Sequence, residues 1–199
     1  IAIFTGMDCE HLDYHGTMEA YFAAKSRLFK LLSPHGIRTG ICNADDPYAE
    51  RLMAAHPDVF FRTCTANAER IAECDVTGLY CTCSTAGTSF LYYADDAIFR
   101  MRLPIPGRYT MYNAMEAATA ARILGVHPME IRESLNAMEP IPGRMERVPL
   151  GNALYTAYID YAHTPRAMEA ILSTLRALTP SPTRLTVVFG WGGDGRPGK

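Results

Sequence analysis

The sequence predicts an α/β protein with a mainly parallel sheet, a small antiparallel meander and a second α/β unit beyond a hinge, and three observations carry that reading. Short apolar runs alternate with helical patterns from Ile1 to about Thr65, as successive βαβ units require. Residues 75–104 lose the helical period and are rich in Thr, Tyr and Phe. The stretch "EPIPGRMERVPLGN", with three prolines and two glycines, then separates this part from a renewed strand and helix pattern.

Taken in order, "IAIFTGM" is the first strand, and a chain that opens directly on a strand is expected to begin inside a domain. From Thr17, the residues Met18, Tyr21, Phe22, Leu28, Phe29 and Leu32 recur at three- and four-residue steps, the stripe of an amphipathic helix over 17–32. Lys25 falls on that stripe, four residues after Tyr21 and three before Leu28. A lysine on a core-facing stripe has to be paired, snorkel to solvent or lose its charge. The strand "RTGICNADD", a helix over about 47–55 and the strand "DVFFRTC" follow. "VTGLYCTCSTAGTSFLYYADDAIFRMRLP", broken by Gly and Asp turns, supplies the meander.

The Ala-rich segment "NAMEAATAARILG" is a helix with Asn113 near its start and Gly125 as its C-terminal stop. Pro128 opens a further helix to about Met138, in the first-turn position proline favours. The hinge follows, dividing the chain into residues 1–143 and 144–199. Beyond it come a strand in "LYTAYID", a helix from Pro165 carrying Met168, Ile171, Leu172, Leu175 and Leu178, a strand in "LTVVFG" and a Gly-rich loop, together one βαβ unit.

Composition excludes several classes of function. The 199 residues carry a net charge of −2, which gives no reason to expect nucleic acid as a partner. No apolar run approaches the length of a membrane span, and the start lacks the basic segment and long apolar stretch of a signal peptide, so a soluble cytoplasmic protein is expected. The six cysteines, Cys9, Cys42, Cys64, Cys74, Cys81 and Cys83, have no CxxC spacing and are expected as buried or half-buried free thiols, with a metal cluster of Cys74, Cys81 and Cys83 as the lesser alternative.

Ligands in open α/β sheets collect at the carboxyl ends of strands, and three clusters fall there. Glu10, His11, Asp13 and His15 lead into the helix of Lys25, where carboxylates and imidazoles could hold a divalent cation or simply cap a surface helix. In "DYAHTP", Asp160 could accept hydrogen bonds from a ribose and His163 could stack on a base, or Asp160 and Thr164 could merely cap the next helix. The third cluster, "VVFGWGGDGRPGK", matches G-x-x-x-x-G-K from Gly193 to Lys199, a phosphate-loop pattern that Pro197 weakens by removing a backbone donor.

These residues together resemble the Mur ligases, in particular the UDP-N-acetylmuramoyl-tripeptide synthetases that add the third residue of the peptidoglycan stem peptide. "HLDYHGTMEAYFAAKSRLF" looks like the family's D-H-L-D-Y-H-G block with its lysine-bearing helix, and "NADDP", "GRYTMYNAMEAA", "PGRMERV", "DYAHTP" and "VVFGWGGDGRPGK" follow in the family's order. The resemblance implies that residues 1–143 are the second half of a P-loop-type central ATPase domain and residues 144–199 the first βαβ unit of a Rossmann-like C-terminal domain. It also implies that Lys25 is carbamylated by CO2 and, with His11, holds Mg2+. Asn113 and Arg144 would contact the nucleotide, Asp160 its ribose, and His163 would lie against it across the hinge. Gly192, Gly193 and Asp194 would form a Gly-rich loop on the substrate side, which replaces the phosphate-loop reading of that segment.

The implied reaction consumes ATP with Mg2+: the carboxylate of UDP-MurNAc-dipeptide is phosphorylated, and an amino acid attacks the acyl phosphate to give an amide. No membrane takes part, and the complete enzyme is expected to be monomeric. The family's own phosphate loop, Mg2+-binding Glu and most UDP-sugar contacts precede the D-H-L-D-Y-H-G block, so the chain is expected to be part of a longer ligase. Glu10 stands where the family has Asp, and "TGMDC" stands where its pattern is nearer "TNLSR". Two rival readings remain open: a folylpolyglutamate or cyanophycin synthetase of the same superfamily, and a non-catalytic remnant that binds without turning over ATP.

Overall fold

The computed structural model describes residues 1–190. One six-stranded sheet organises the first part of the chain, with β1 (Ala2–Phe4), β2 (Thr39–Asn43), β3 (Phe60–Thr65), β4 (Val76–Ser84), β5 (Gly87–Ala94) and β6 (Ala97–Leu103) lying in chain order. β1 to β4 pair parallel, and β4, β5 and β6 pair antiparallel. The meander is therefore not a separate subdomain: β4 belongs to both halves. Its register shifts between Leu79 and Thr82, where Tyr80 adopts a left-handed φ of 49°, and the extra residue bends the strand out of the parallel half.

Helices cover both faces. α2 (Met18–Lys30) and α3 (Ala49–Ala55) close one side over Phe4, Phe22, Phe29, Cys42 and Leu52, while α4 (Arg108–Ile123) and α5 (Pro128–Asn136) close the other over Ile41, Cys64, Phe90 and Met101. β2 shows how the period of two serves both cores, since Ile41 faces one and Cys42 the other. Gly40 and Gly78 let the helices come close: a Cβ on Gly40 would lie 2.9 Å from the Phe29 ring of α2, and one on Gly78 would lie 2.6 Å from the Met111 sulfur of α4.

Several expectations need correction. α4 starts at Arg108, not near Asn113, because Gly107 with φ 127° supplies the turn and Asn113 already lies in the second turn. Its end is as expected: Gly125 (φ 87°) donates to Arg122 O and Val126 N donates to Ala121 O, a Schellman arrangement. Leu28 on the α2 stripe is exposed, and so is Cys9. The hinge stretch contains a strand, β7 (Glu146–Val148), which pairs antiparallel with β8 (Ala157–Ile159). Residues 183–190 form no strand, so the expected βαβ unit is a hairpin followed by α6 (Pro165–Leu178). α6 has the expected apolar stripe, yet none of its residues is buried, and Val188 is 96% exposed.

No helix among the described residues is long and apolar enough to cross a membrane.

Candidate active site

The carboxyl ends of β1, β2 and β3, the first turns of α4 and the start of α6 meet on one rim of the sheet. The loop after β1 turns at Gly6 (φ 131°), where a Cβ would lie 2.7 Å from the Asp46 carboxylate. Lys25 answers the constraint set by its position on α2: it is half-buried and its Nζ donates to Gly6 O at 3.0 Å, 4.9 Å from the centre of the Tyr21 ring. The cation is thus satisfied by a carbonyl and an aromatic face, with its end at the β1 loop.

Tyr21 gathers the first predicted cluster. The His15 ring stacks on it at 4.9 Å and the His11 ring meets it edge-on at 5.9 Å. His11 itself sits in a left-handed conformation (φ 58°) ahead of α1 (Leu12–His15), its Nε2 3.7 Å from Glu10 Oε1. Asp13 is exposed in the first turn of α1 and points to no partner in this group.

The second cluster is brought to the first across the whole length of the chain. His163 Nε2 is hydrogen-bonded to Glu10 Oε1. Asp160 does not cap α6; its two oxygens accept from Met145 N and Ala162 N, each at 2.7 Å. Thr164 is the cap, its hydroxyl accepting from Ala167 N. Arg144 lies over the Tyr161 ring at 5.2 Å. Tyr109 joins this group from α4: burial and then the Asp160 carboxylate push its phenol up to about 12, against the opposing charge of Arg144. Its hydroxyl is buried without a hydrogen-bond partner among the described residues, and Asn113, one turn further along α4, is exposed beside it. Predicted residues from four elements thus converge in two linked groups, His11 with Lys25 and Arg144 with Asp160, and His163 and Glu10 join them. Gly192, Gly193 and Asp194 lie outside the described residues.

Sequence reasoning passed over an acidic pair. Asp45, at the end of β2, accepts from Thr65 Oγ1 (2.7 Å), Ala66 N (2.8 Å) and Tyr112 Oη (2.8 Å), with Arg70 3.3 Å away. Burial opposes its ionisation, but these donors and the guanidinium hold it below the usual carboxylate range. Asp45 borders an open cleft of about 690 Å³ with Asp46, Glu50, Arg70, Arg108 and Tyr112. Asp46 is buried and accepts from Met7 N and Tyr48 N. Glu116, 2% exposed on α4, has one carboxyl oxygen without a hydrogen-bond partner among the described residues, and burial followed by the nearby Asp46 pushes it up to about 8. The visible signals were the doubled Asp after a strand in "NADDP" and a Glu among the Ala and Met of a core-facing helix.

Comparison with known proteins gives this rim a context. The profile described as Mur ligase middle domain matches residues 1–121, and the one described as Mur ligase, glutamate ligase domain, matches residues 143–199. A UDP-N-acetylmuramoyl-L-alanyl-D-glutamate--2,6-diaminopimelate ligase of Chlorobaculum tepidum is 40% identical over 97% of this chain, which spans 38% of that protein. A crystal structure of MurF from Acinetobacter baumannii has the same fold, with a TM-score of 0.78 at 20% identity over 89% of this chain and 37% of that one. A solved UDP-N-acetylmuramoyl-L-alanyl-D-glutamate--2,6-diaminopimelate ligase gives 0.70 at 25% identity, over 90% of this chain and 36% of that one.

Proposed function

As the chain belongs to the Mur ligase family, we propose that it forms part of an ATP-dependent amide ligase that extends UDP-MurNAc-dipeptide by one amino acid in peptidoglycan synthesis. The observation that carries this reading is the junction of Glu10 with His163, which joins the lysine and histidine group at the end of β1 to the Arg144 and Asp160 group beyond the hinge. The proposal takes residues 1–143 as central domain and residues 144–199 as the start of the C-terminal domain.

Each residue then has a task. The unpartnered Tyr109 hydroxyl, the exposed Asn113 amide and the Arg144 guanidinium form a polar and aromatic cradle suited to a nucleoside. Asp160 spends one hydrogen bond per oxygen on the backbone and keeps acceptor capacity for a ribose hydroxyl. His11, Glu10 and a carbamate formed on Lys25 supply the imidazole and hard oxygen donors that suit a Mg2+ retaining several waters. When bound, that ion would offset charge on the phosphoryl oxygens. Lys25 Nζ must first lose a proton to solvent to present its lone pair to CO2, a second proton leaves as the carbamate anion forms, and the N–H that stays on nitrogen can keep the bond to Gly6 O. ATP would phosphorylate the dipeptide carboxylate, and the amine of the incoming amino acid would displace phosphate from the acyl phosphate to form the amide.

The test is ADP release by the native protein. Release is expected only with UDP-MurNAc-dipeptide and an amino acid together, and diaminopimelate is the first to try, given the names of the relatives; absence of such release would overturn the reading. Lys25→Ala should slow turnover at least ~100-fold, with partial recovery in short carboxylates that stand in for the carbamate. Turnover like that of the unmodified protein would leave Lys25 as a snorkelling residue of α2.

A further inference from the structure

The loop after β1 is held to the start of α6 by the Glu10–His163 hydrogen bond of the proposed site and by two further polar contacts that nothing in the reaction above requires. Thr164 Oγ1 donates to Asp8 Oδ2 at 2.7 Å, Arg166 donates to Met7 O at 3.0 Å, and His163 bonds Glu10, so residues 7, 8 and 10 meet residues 166, 164 and 163 in crossing order. The Thr164 hydroxyl is used in both senses, accepting from Ala167 N to cap α6 while it donates to Asp8. The Met7 peptide is held from both sides. Its N–H donates to Asp46 Oδ2 at 3.1 Å, its carbonyl accepts from Arg166, and the Arg166 guanidinium stands 3.9 Å from that same Asp46 oxygen. One residue earlier, Gly6 O is held by Lys25. Two cations from distant parts of the chain thus grip consecutive carbonyls of one short loop, which runs on through Asp8 and Cys9 to Glu10 and His11.

We infer that Asp8 and Arg166 are positioning residues: with Thr164 they form a clasp that sets the loop bearing Glu10 and His11 against the segment bearing Asp160 and His163. The argument rests on arrangement. Arg166 is largely exposed, with 61% of its side chain open, so as an isolated ion pair it would contribute little. Its effect comes from what it grips, a buried residue whose N–H is already fixed, so that losing the guanidinium frees the carbonyl end of the loop while the N–H end stays anchored. The inference builds on the proposed ligase site, but its primary readout does not need turnover.

The experiment is amide hydrogen exchange on the native protein and its Arg166→Ala, Arg166→Lys and Asp8→Asn variants, with thermal unfolding as a check on the fold. Arg166→Ala and Asp8→Asn are expected to speed exchange about fivefold at residues 7–11 and at 164–168 together, with Arg166→Lys recovering part of the protection at 7–11. Where turnover is measurable, Arg166→Ala should raise KM for ATP more than it lowers kcat. Unchanged exchange at 7–11, or a rise confined to α6, would overturn the clasp whatever the turnover. Coupled exchange in a native protein that releases no ADP would leave the clasp standing and remove the ligase reading.

Discussion

Glu116 is the residue whose chemistry the fold alters most visibly. Its carboxyl is raised to about 8 by burial and by Asp46, so the fold favours the protonated form. The stability that this proton supplies is fully present below the unfolded pKa, near 4.5, and is lost as pH rises through about 8. The native protein should therefore unfold at lower temperature as pH goes from about 5 to about 9, and Glu116→Gln should flatten that slope, by on the order of a few kcal/mol at the alkaline end. An identical pH profile for the variant would show that Glu116 ionises freely in the fold. Asp45 has the opposite sign: its stabilising contribution is present above its unfolded pKa and disappears as pH falls through its lower folded value. The two carboxyls sit at the end of one strand and on the helix above it, and only their neighbours make them differ.

At the scale of elements, two glycines separate steric cost from conformational cost. Gly87, at the start of β5, has φ 132° and a Cβ there would lie 1.8 Å from Leu103 O, a backbone atom that cannot swing aside. Gly125, past the end of α4, has φ 87° and open space around it. Gly87→Ala should cost about 2 kcal/mol or more and disturb the pairing of β5 with β6, whereas Gly125→Ala should cost only about 1 kcal/mol, the penalty of a left-handed alanine. Denaturant unfolding of both variants checks this, and equal losses would place Gly87 in a looser turn than the structure has. The same contrast explains what was legible. Strands and helices with a clear period, such as β2, α2 and α6, could be read from local pattern, as could the Gly125 stop and the Pro128 start. The beginning of α4 could not, because "GRYTMY" has no side-chain cap and the helix is started by the Gly107 turn and by packing of Met111 and Met115 against Gly78.

For the molecule as a whole, the sheet order leaves β1 with one neighbour among the described residues, and the second unit exposes Leu154, Tyr155, Val188 and Phe189. A polypeptide of these 199 residues alone should therefore self-associate through that edge and that apolar surface. Sedimentation velocity checks this, and a single species of 22.0 kDa would mean that both are protected in solution.

By itself, the sequence determined the α/β class, the order and type of most elements and the identity of the residues bound for the strand ends, because periodicity, caps and turn residues act over a few neighbouring positions. Only the tertiary structure decided which of those residues meet. It brought Glu10 to His163 across 153 positions, closed Arg166 on Met7, aimed Asp160 at the hinge backbone instead of at its own helix, and buried Glu116 beside Asp46. Such contacts depend on how distant segments cross at the rim of the sheet, and burial and partner charge exist only once that crossing is made.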